Sequence, residues 1–242
     1  MARKFIITDT TTLPFETAIQ GQEARHIHKV MRLKPGDTLC VTDGAGHDYQ
    51  ARIILAAAGR IDIKVFEALE SRTESPLPLT LCSAMLKDKN MDLVIRHVTQ
   101  LGIREWIPFF SQRAVPRPDR KKLSARLKRW QTIADESMKQ CGRSNRVQIH
   151  PPVPFDTLMD LSTPFDLKIA FWEQAHRPLS DLTGPSSSIL ILIGPEGGFS
   201  KEEIKTAETC GFNSFSLGPR ILRAETAAIT AAALVQHHLG DL

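Results

Sequence analysis

The pattern of apolar and polar positions changes once along the chain, between residues 70 and 78. Before that stretch, short alternating apolar segments separated by turn residues are typical of β-strands. A single helix over 23–32 interrupts them, and Lys34-Pro-Gly-Asp ends it. The polar, proline-containing stretch 70–78 is typical of a linker. The strands are predicted at 4–7, 38–42, 49–55 and 62–66, with a hairpin loop at 43–48.

After the linker, apolar runs alternate with segments of helical periodicity, which is the pattern of an α/β domain. The segment Ile189–Ile193 is apolar without interruption, as expected of a strand covered on both faces, so we predict a parallel sheet between helices. The predicted strands are 79–85, 106–110, 167–172, 189–193 and 214–217, and the predicted helices are 92–101, 120–140, one from Lys201 and an alanine-rich one at the C-terminus. We therefore expect a small β-barrel domain over residues 1–73 and an α/β domain over 74–242.

The composition fits a globular protein and excludes fibrous and largely disordered classes. Of 242 residues, 42% are hydrophobic and 24% are charged, and the mean hydropathy is −0.17. No apolar run approaches the roughly 20 residues that span a bilayer, and the first residues lack a signal-peptide core, so we expect a cytoplasmic protein without a membrane partner. The four cysteines are far apart, and His26 and His28 do not share a helix face, so no metal site is expected.

The small net charge of +4 conceals a strongly basic segment. Eight basic residues and one acid, Asp119, lie between residues 112 and 129, which is +7, so the rest of the chain carries about −3. A solvated helix face is the usual explanation for such a run, but the scarcity of acids favours contact with phosphates. The predicted nucleic-acid contacts are Arg113, Arg117, Arg120, Lys121 and Lys122 here, and Arg25, His28 and Arg32 near the N-terminus.

The strand Ile189–Ile193 runs into a loop with three glycines in five positions, Gly194-Pro-Glu-Gly-Gly. Ser200 and Glu203 form a capping-box pattern that predicts a helix start directly after it. Because ligands bind at the carboxyl ends of parallel strands, this loop is either a binding loop or a tight turn with nothing bound. It lacks the ending of a P-loop and the GxGxxG pattern, which argues against nucleoside triphosphates and dinucleotides.

A second loop of the same kind follows the next helix and strand, at Ser216-Leu-Gly-Pro-Arg-Ile-Leu-Arg-Ala-Glu-Thr. It brings Arg220, Arg223, Glu225 and Thr226 to one strand end. These residues form either a surface ion-pair cluster of little energetic value or the polar wall of a site. The presence of two such loops favours the site.

These two motifs resemble the C-terminal motifs of the RsmE family, SPOUT-class methyltransferases that modify a uridine of 16S ribosomal RNA at N3. Three other stretches are similar to the rest of the family pattern: residues 25–37, Gln100-Leu-Gly-Ile with Pro108, and Ser111-Gln-Arg-Ala. The resemblance therefore covers nearly the whole chain.

The resemblance implies a PUA-like RNA-binding barrel and a trefoil-knotted α/β SPOUT domain. It also implies S-adenosylmethionine as methyl donor, 16S rRNA or the small ribosomal subunit as partner, and a homodimer that completes the site. By this resemblance Trp172, at a strand end, is a further candidate for the donor site. The residues expected to bind the donor are Phe171, Ile193, Gly194, Pro195, Gly197, Gly198, Leu217, Gly218, Ile221, Leu222, Arg223 and Thr226.

Methylation of uracil at N3 requires loss of the N3 proton and stabilisation of charge on O2 and O4. Glu225 is the candidate base, Arg223 or Arg220 the candidate stabiliser, and Glu196 a second carboxylate. A purely structural alternative is that Glu225 caps the last helix and pairs with Arg223. Two other functions stay open: a SPOUT methyltransferase with a different RNA target, and a non-catalytic RNA-binding protein.

Overall fold

The structure is a computed structural model that describes residues 4–8, 10–114, 119–182 and 187–242, with all their side chains except those of Asp88 and Arg120. The chain divides into two compact units. The first unit contains Met1–Glu74 together with Met138–Arg146, and the second contains Ser75–Ser137 and Val147–Leu242.

A five-stranded sheet forms the first unit. Its strands are β1 (Lys4–Ile6), β2 (Phe15–Gln20), β3 (Thr38–Thr42), β4 (Asp48–Ala57) and β5 (Arg60–Leu69), in the order β1-β3-β4-β5-β2. All neighbours are antiparallel except β1 and β3. The predicted hairpin between β3 and β4 is confirmed, whereas β2 was not predicted because only Phe15 and Ile19 of that strand are large, buried apolar residues.

Where a single helix was predicted in this unit, the structure has two consecutive helical segments. A short α-helix, α1 (Gly21–Arg25), continues as a π-helical segment over His26–Met31. Arg32 then ends the segment in the left-handed conformation, with φ of 56°. Val30, in the π-helical segment, is 67% exposed and follows the basic residue Lys29.

Residues 138–146 belong to the first unit because polar and charged groups bind them there. The ammonium of Lys4 donates to Asp48 Oδ2 at 2.6 Å and to Ser144 Oγ at 2.9 Å. Arg143, which is 3% exposed, donates to Glu74 Oε2 at 2.9 Å. Burial alone would raise the pKa of the Glu74 carboxyl, but the hydrogen bonds and charge of Arg143, with the backbone amides of Asn145 and Ser144, hold that pKa below its ordinary value.

The second unit is an α/β domain built on a seven-stranded sheet. The strand order is β12-β10-β11-β6-β7-β8, β9 also pairs with β7, and every pairing is parallel. The predicted parallel sheet is therefore confirmed. The strands are β6 (Leu79–Ala84), β7 (Glu105–Phe110), β8 (Gln148–Ile149), β9 (Val153–Pro154), β10 (Leu167–Phe171), β11 (Ile189–Ile193) and β12 (Asn213–Phe215).

The helices of the second unit are α2 (Asp88–Gln100), α3 (Arg120–Cys141), α4 (Phe155–Leu161), α5 (Lys201–Thr209) and α6 (Ala224–Leu239). The last turn of α3 is grouped with the first unit. The strands β8 and β9 and the helix α4 were not predicted, because two-residue strands and a seven-residue helix carry little periodic signal. No helix in the described part of the chain is long and apolar enough to cross a membrane.

The unbroken apolar run of β11 is explained by burial on both faces. Ile189, Ile191 and Ile193 pack in one hydrophobic cluster, and Leu190 and Leu192 pack in another. Successive side chains of a strand point to opposite faces, so a central strand between two layers of helices has no polar face. Within the sheet β10 lies between β11 and β12. The loops that follow these three parallel strands therefore leave the sheet side by side.

Candidate functional site

A cavity of about 320 Å³ lies at the carboxyl ends of β10, β11 and β12. Three loops form it: the one after Phe171, the glycine-rich loop Gly194–Phe199, and the one from Ser216 to Leu222. Ten of the twelve residues expected to bind a donor line this cavity, and Arg220 lines it too. The ten are Phe171, Ile193, Gly194, Pro195, Gly197, Gly198, Leu217, Gly218, Ile221 and Leu222.

The other predicted residues lie close by in the chain but do not line the cavity. Arg223 is the N-cap residue of α6, where its side chain makes no capping hydrogen bond, and it is exposed. Thr226 is also exposed. Glu225 is buried in the first turn of α6 and is 7% exposed.

Several lining residues were missed by sequence reasoning or only named as further candidates. Trp172 and Glu196, the two further candidates, both line the cavity. The indole Nε1 of Trp172 is buried and has no hydrogen-bond partner among the described residues. The lining residues that were not named as candidates are Glu173, Phe199, Ser216, Pro219, Ala224 and Ala227. Ser216, Pro219 and Ala224 belong to the second predicted loop motif, whereas Glu173 is the second residue after β10 and Ala227 lies about one helical turn after Ala224 on α6.

The glycine-rich loop needs glycine at two positions for different reasons. Gly198 has φ of +68°, and a Cβ there would lie 2.7 Å from Glu173 Oε1. A Cβ at Gly194 would lie 3.0 Å from the ring of Phe199, which packs against it. A turn bond from the amide of Gly198 to the carbonyl of Pro195, at 2.9 Å, closes the loop. The loop is thus compact and close to its neighbours.

The start of α5 is fixed by the predicted capping box, which is confirmed. Ser200 Oγ accepts from the amide of Glu203 at 3.1 Å, and Glu203 Oε2 accepts from the amide of Ser200 at 2.9 Å. The other carboxylate oxygen of Glu203 accepts from the amide of Gln112, in the loop after β7, at 2.9 Å. Glu203 is 7% exposed, so these bonds satisfy a buried charge.

Arg113, predicted to contact RNA, lies at the glycine-rich loop. Its Nη1 donates to the carbonyl of Gly197 at 3.1 Å and to that of Phe199 at 3.4 Å. The pKa of the exposed Glu202 carboxyl lies below its ordinary value, first because of its own backbone amide and then the Ser200 hydroxyl, with a contribution from the charge of Arg113.

Glu225 is held by a residue that sequence reasoning missed. Asn90 Nδ2, in the first turn of α2, donates to Glu225 Oε2 at 3.2 Å. Among the described residues no ion pair joins Glu225 to Arg223, so the predicted structural alternative, in which these two residues pair, is wrong. The backbone amide of Lys87, just before α2, lies 3.5 Å from Glu196 Oε1. The residues at the start of α2 therefore contact two carboxylates: Glu196 of the glycine-rich loop, which lines the cavity, and Glu225 of α6, which does not.

The basic segment is only partly an exposed cationic surface. Arg129 forms an ion pair with Asp92: its Nε donates to Oδ1 at 3.1 Å and to Oδ2 at 2.9 Å, and its Nη2 donates to Oδ2 at 2.5 Å. Lys121, Lys122 and Lys128 are exposed. Of these, Lys122 has its Nζ 3.5 Å from Asp119 Oδ2. Arg117 lies outside the described residues, as does the side chain of Arg120.

The three basic candidates of the first unit lie on α1 and the π-helical segment. Arg25 and Arg32 are exposed, and His28 is half-buried. The described residues contain no group of three or more His, Cys, Asp or Glu side chains that could hold a metal ion.

The chain is similar to known RNA methyltransferases. Residues 73–236 match the RNA methyltransferase domain family, and residues 19–66 match the RNA methyltransferase PUA domain family. A Ribosomal RNA small subunit methyltransferase E from Buchnera aphidicola is 32% identical over 222 residues, which is 91% of this chain and 88% of that protein. The protein of the same name from Bacillus subtilis is 29% identical over 234 residues, 91% of this chain and 89% of the relative.

A solved structure has the same fold. The crystal structure of a Ribosomal RNA small subunit methyltransferase E from Neisseria gonorrhoeae, bound to S-adenosyl methionine, superposes with a TM-score of 0.93 at 27% identity and covers 100% of both chains. The predicted fold class, a SPOUT-type α/β domain with a PUA-like β domain, is thereby confirmed.

Proposed function

Since the chain belongs to the RNA methyltransferase family, we propose that it transfers a methyl group from S-adenosylmethionine to N3 of a uridine in 16S ribosomal RNA. The observation that carries this proposal is the cavity itself. Three loops at adjacent strand ends form it, and ten of the residues expected from the sequence line it. Relatives of nearly the same length bear the name of a small-subunit rRNA methyltransferase, which supports the acceptor.

The residues around the cavity fit S-adenosylmethionine. Its volume lies within the range of about 300–1,000 Å³ that is usual for small-molecule sites. Apolar side chains such as Ile193 and Leu217 suit the faces of an adenine ring, and Gly194 and Gly198 line the cavity without a side chain that would keep a ligand from their backbone. The buried indole N–H of Trp172 can be satisfied by an acceptor on the ligand. When bound, this donor supplies an activated methyl group on a sulfonium.

The chain's own residues supply the rest of the chemistry. We assign Arg220, the predicted cation that lines the cavity, to the negative charge that develops on the uracil oxygens. Arg223 is the next cation along the chain and is exposed at the start of α6, so it is the second candidate for this role.

We assign Glu225 to the removal of the N3 proton. Its Oε2 is held by Asn90, and Asn90 is its one hydrogen-bond partner among the described residues. The other oxygen, Oε1, is thus available for a proton, and the hydrogen bond from the Asn90 side-chain amide keeps the carboxylate in one orientation. Asn90 is a positioning residue in this scheme.

We propose that exposed cations in each of the two units bind RNA. In the second unit these are Lys121, Lys122 and Lys128, and in the first Arg25 and Arg32. Their positive charge suits a polyphosphate chain. An enzyme of this kind acts where ribosomes are assembled, so we place it in the cytoplasm.

We also propose that the protein is a homodimer. Leu93 on α2 and Leu234 on α6 are 37% and 38% exposed, although these two helices pack against each other. Large apolar side chains at the edge of a packed helix pair are suited to burial against a second copy.

The function is tested with purified protein, S-adenosylmethionine and small ribosomal subunits from cells that lack this modification. Nucleoside mass spectrometry of the recovered 16S rRNA should then show 3-methyluridine at one site. A methylated nucleoside of another kind would support a SPOUT enzyme with a different target. RNA binding without donor binding in calorimetry would instead support the non-catalytic alternative.

A further inference from the structure

We propose that Arg113 is a positioning residue for the glycine-rich loop, and that it acts on donor binding rather than on RNA binding. The inference rests on the proposed function, because it takes Gly194–Phe199 as part of the donor site. Charge alone assigns Arg113 to the basic segment that faces RNA. The contacts of its guanidinium assign it to the cavity instead.

The guanidinium binds the loop on both sides of its left-handed residue. It donates to the carbonyl of Gly197 at 3.1 Å and to that of Phe199 at 3.4 Å, and Gly198, with φ of +68°, lies between them. Gly197 also packs on this side chain, since a Cβ at Gly197 would lie 3.5 Å from the Cβ of Arg113. All three loop residues line the cavity. Arg113 therefore contacts the cavity wall from outside.

The residue before Arg113 anchors the end of the same loop. The amide of Gln112 donates to Glu203 Oε1 at 2.9 Å, while Glu203 Oε2 accepts from the amide of Ser200. Two consecutive residues after β7 thus hold the middle of the glycine-rich loop and the helix start that follows it. This arrangement gives Arg113 a fixed backbone from which its side chain reaches the carbonyls.

The chemistry of arginine suits this role. A guanidinium carries several N–H donors in a rigid plane and stays charged at all ordinary pH values, so its bonds to carbonyls are charge-assisted and specific in direction. Without it, the carbonyl of Phe199, a residue that is 2% exposed, loses a donor. A loop with several glycines then samples more conformations before the donor binds, and the cost of ordering it appears as weaker affinity.

The test compares Arg113→Ala, Arg113→Lys and the control Lys121→Ala, an exposed cation of the same basic segment. Calorimetry measures S-adenosylmethionine binding without RNA, and a salt titration measures binding of 16S rRNA. We expect Arg113→Ala to weaken donor binding by about tenfold or more and to leave the salt slope of RNA binding unchanged. Lys121→Ala should do the reverse and lower that slope by roughly 0.7.

Two further readouts separate positioning from a general loss of structure. Arg113→Lys keeps the charge and one donor group, so it should recover part of the donor affinity and keep the melting temperature of the wild type. In steady-state methylation, Arg113→Ala should raise KM for the donor while kcat at saturating donor changes by less than about threefold.

The inference is overturned if folded Arg113→Ala binds the donor as the wild type does and only the salt slope falls, because Arg113 is then a phosphate contact. If Arg113→Ala does not fold, the donor affinity of Arg113→Lys decides: an affinity below that of the wild type supports the inference, and wild-type affinity overturns it, because lysine preserves a phosphate contact but not the guanidinium geometry. Failure of the wild-type protein to bind the donor would be a different outcome. It would refute the proposed function, and the inference with it.

Discussion

Substitution of Gly198 by alanine tests whether the glycine-rich loop is a binding loop or only a tight turn. Gly198 is left-handed, with φ of +68°, and alanine in that conformation costs about 1–2 kcal/mol. The new Cβ would also lie 2.7 Å from Glu173 Oε1, but Glu173 is exposed and its carboxylate can rotate away. For a chain of this size the melting temperature should therefore fall by about 2–8 °C.

The effect on the donor should be larger than the loss of stability implies. Both Gly198 and Glu173 line the cavity, so strain relieved by moving either one changes the shape of the binding surface. We expect the Kd for S-adenosylmethionine to rise at least about tenfold, which corresponds to about 1.4 kcal/mol, as measured by calorimetry at a temperature where the variant is folded.

Gly211→Ala is the matched control. Gly211 has φ of +90° in the same unit, but it does not line the cavity, and a Cβ there would meet only Lys168 Nζ at 3.8 Å. Its substitution should lower the melting temperature by a similar amount and leave donor affinity unchanged. Wild-type affinity in folded Gly198→Ala would refute the assignment of this loop to the donor. An equal loss in both variants would show that affinity follows stability rather than local shape.

Three further predictions concern other parts of the molecule. Glu225→Gln should lower the single-turnover methylation rate by about 10²- to 10⁴-fold with little change in donor affinity, and equal losses of rate and affinity would contradict a catalytic role. Joint replacement of Lys121 and Lys122 by alanine should lower the salt slope of RNA binding by roughly 1.4, and an unchanged slope in a filter-binding titration would remove them from the RNA surface. Glu74→Gln should cost about 2–4 kcal/mol of unfolding free energy at pH 7 in urea titrations, because it removes the carboxylate beside Arg143. The pKa of Glu74 is depressed when folded, so its contribution is complete above the ordinary value of 4.5 and is lost as the pH falls below it; a difference between variant and wild type that did not shrink there would be inconsistent with this origin.

Much of the site could be predicted because it depends on local sequence. The apolar run of β11, the glycines after it and the capping box at Ser200 and Glu203 each specify a conformation over a few residues. Parallel strands then bring their carboxyl ends to one edge of the sheet without further information. This is why ten expected residues meet at a single cavity.

The contacts of the charged side chains could not be predicted in the same way. Asn90 and Glu225 are 135 positions apart, and Arg113 and Gly197 are 84 apart, so no local pattern relates them. The basic segment illustrates the difference: its charge can be counted along the chain, but Arg129 is engaged by Asp92 and Arg113 by loop carbonyls. A side chain's charge is a property of the residue, whereas its partner depends on the fold.

The amino-acid sequence by itself determined the parallel sheet and the loops that form the cavity, because hydrophobic periodicity, glycine and capping residues act over short distances. Only the tertiary structure decided that residues 138–146 belong with the first unit, that Asn90 orients Glu225, and that Arg113 contacts the glycine-rich loop. Each of these depends on hydrogen bonds or ion pairs between residues that are distant along the chain. Such bonds form only after packing has brought their partners within about 3 Å.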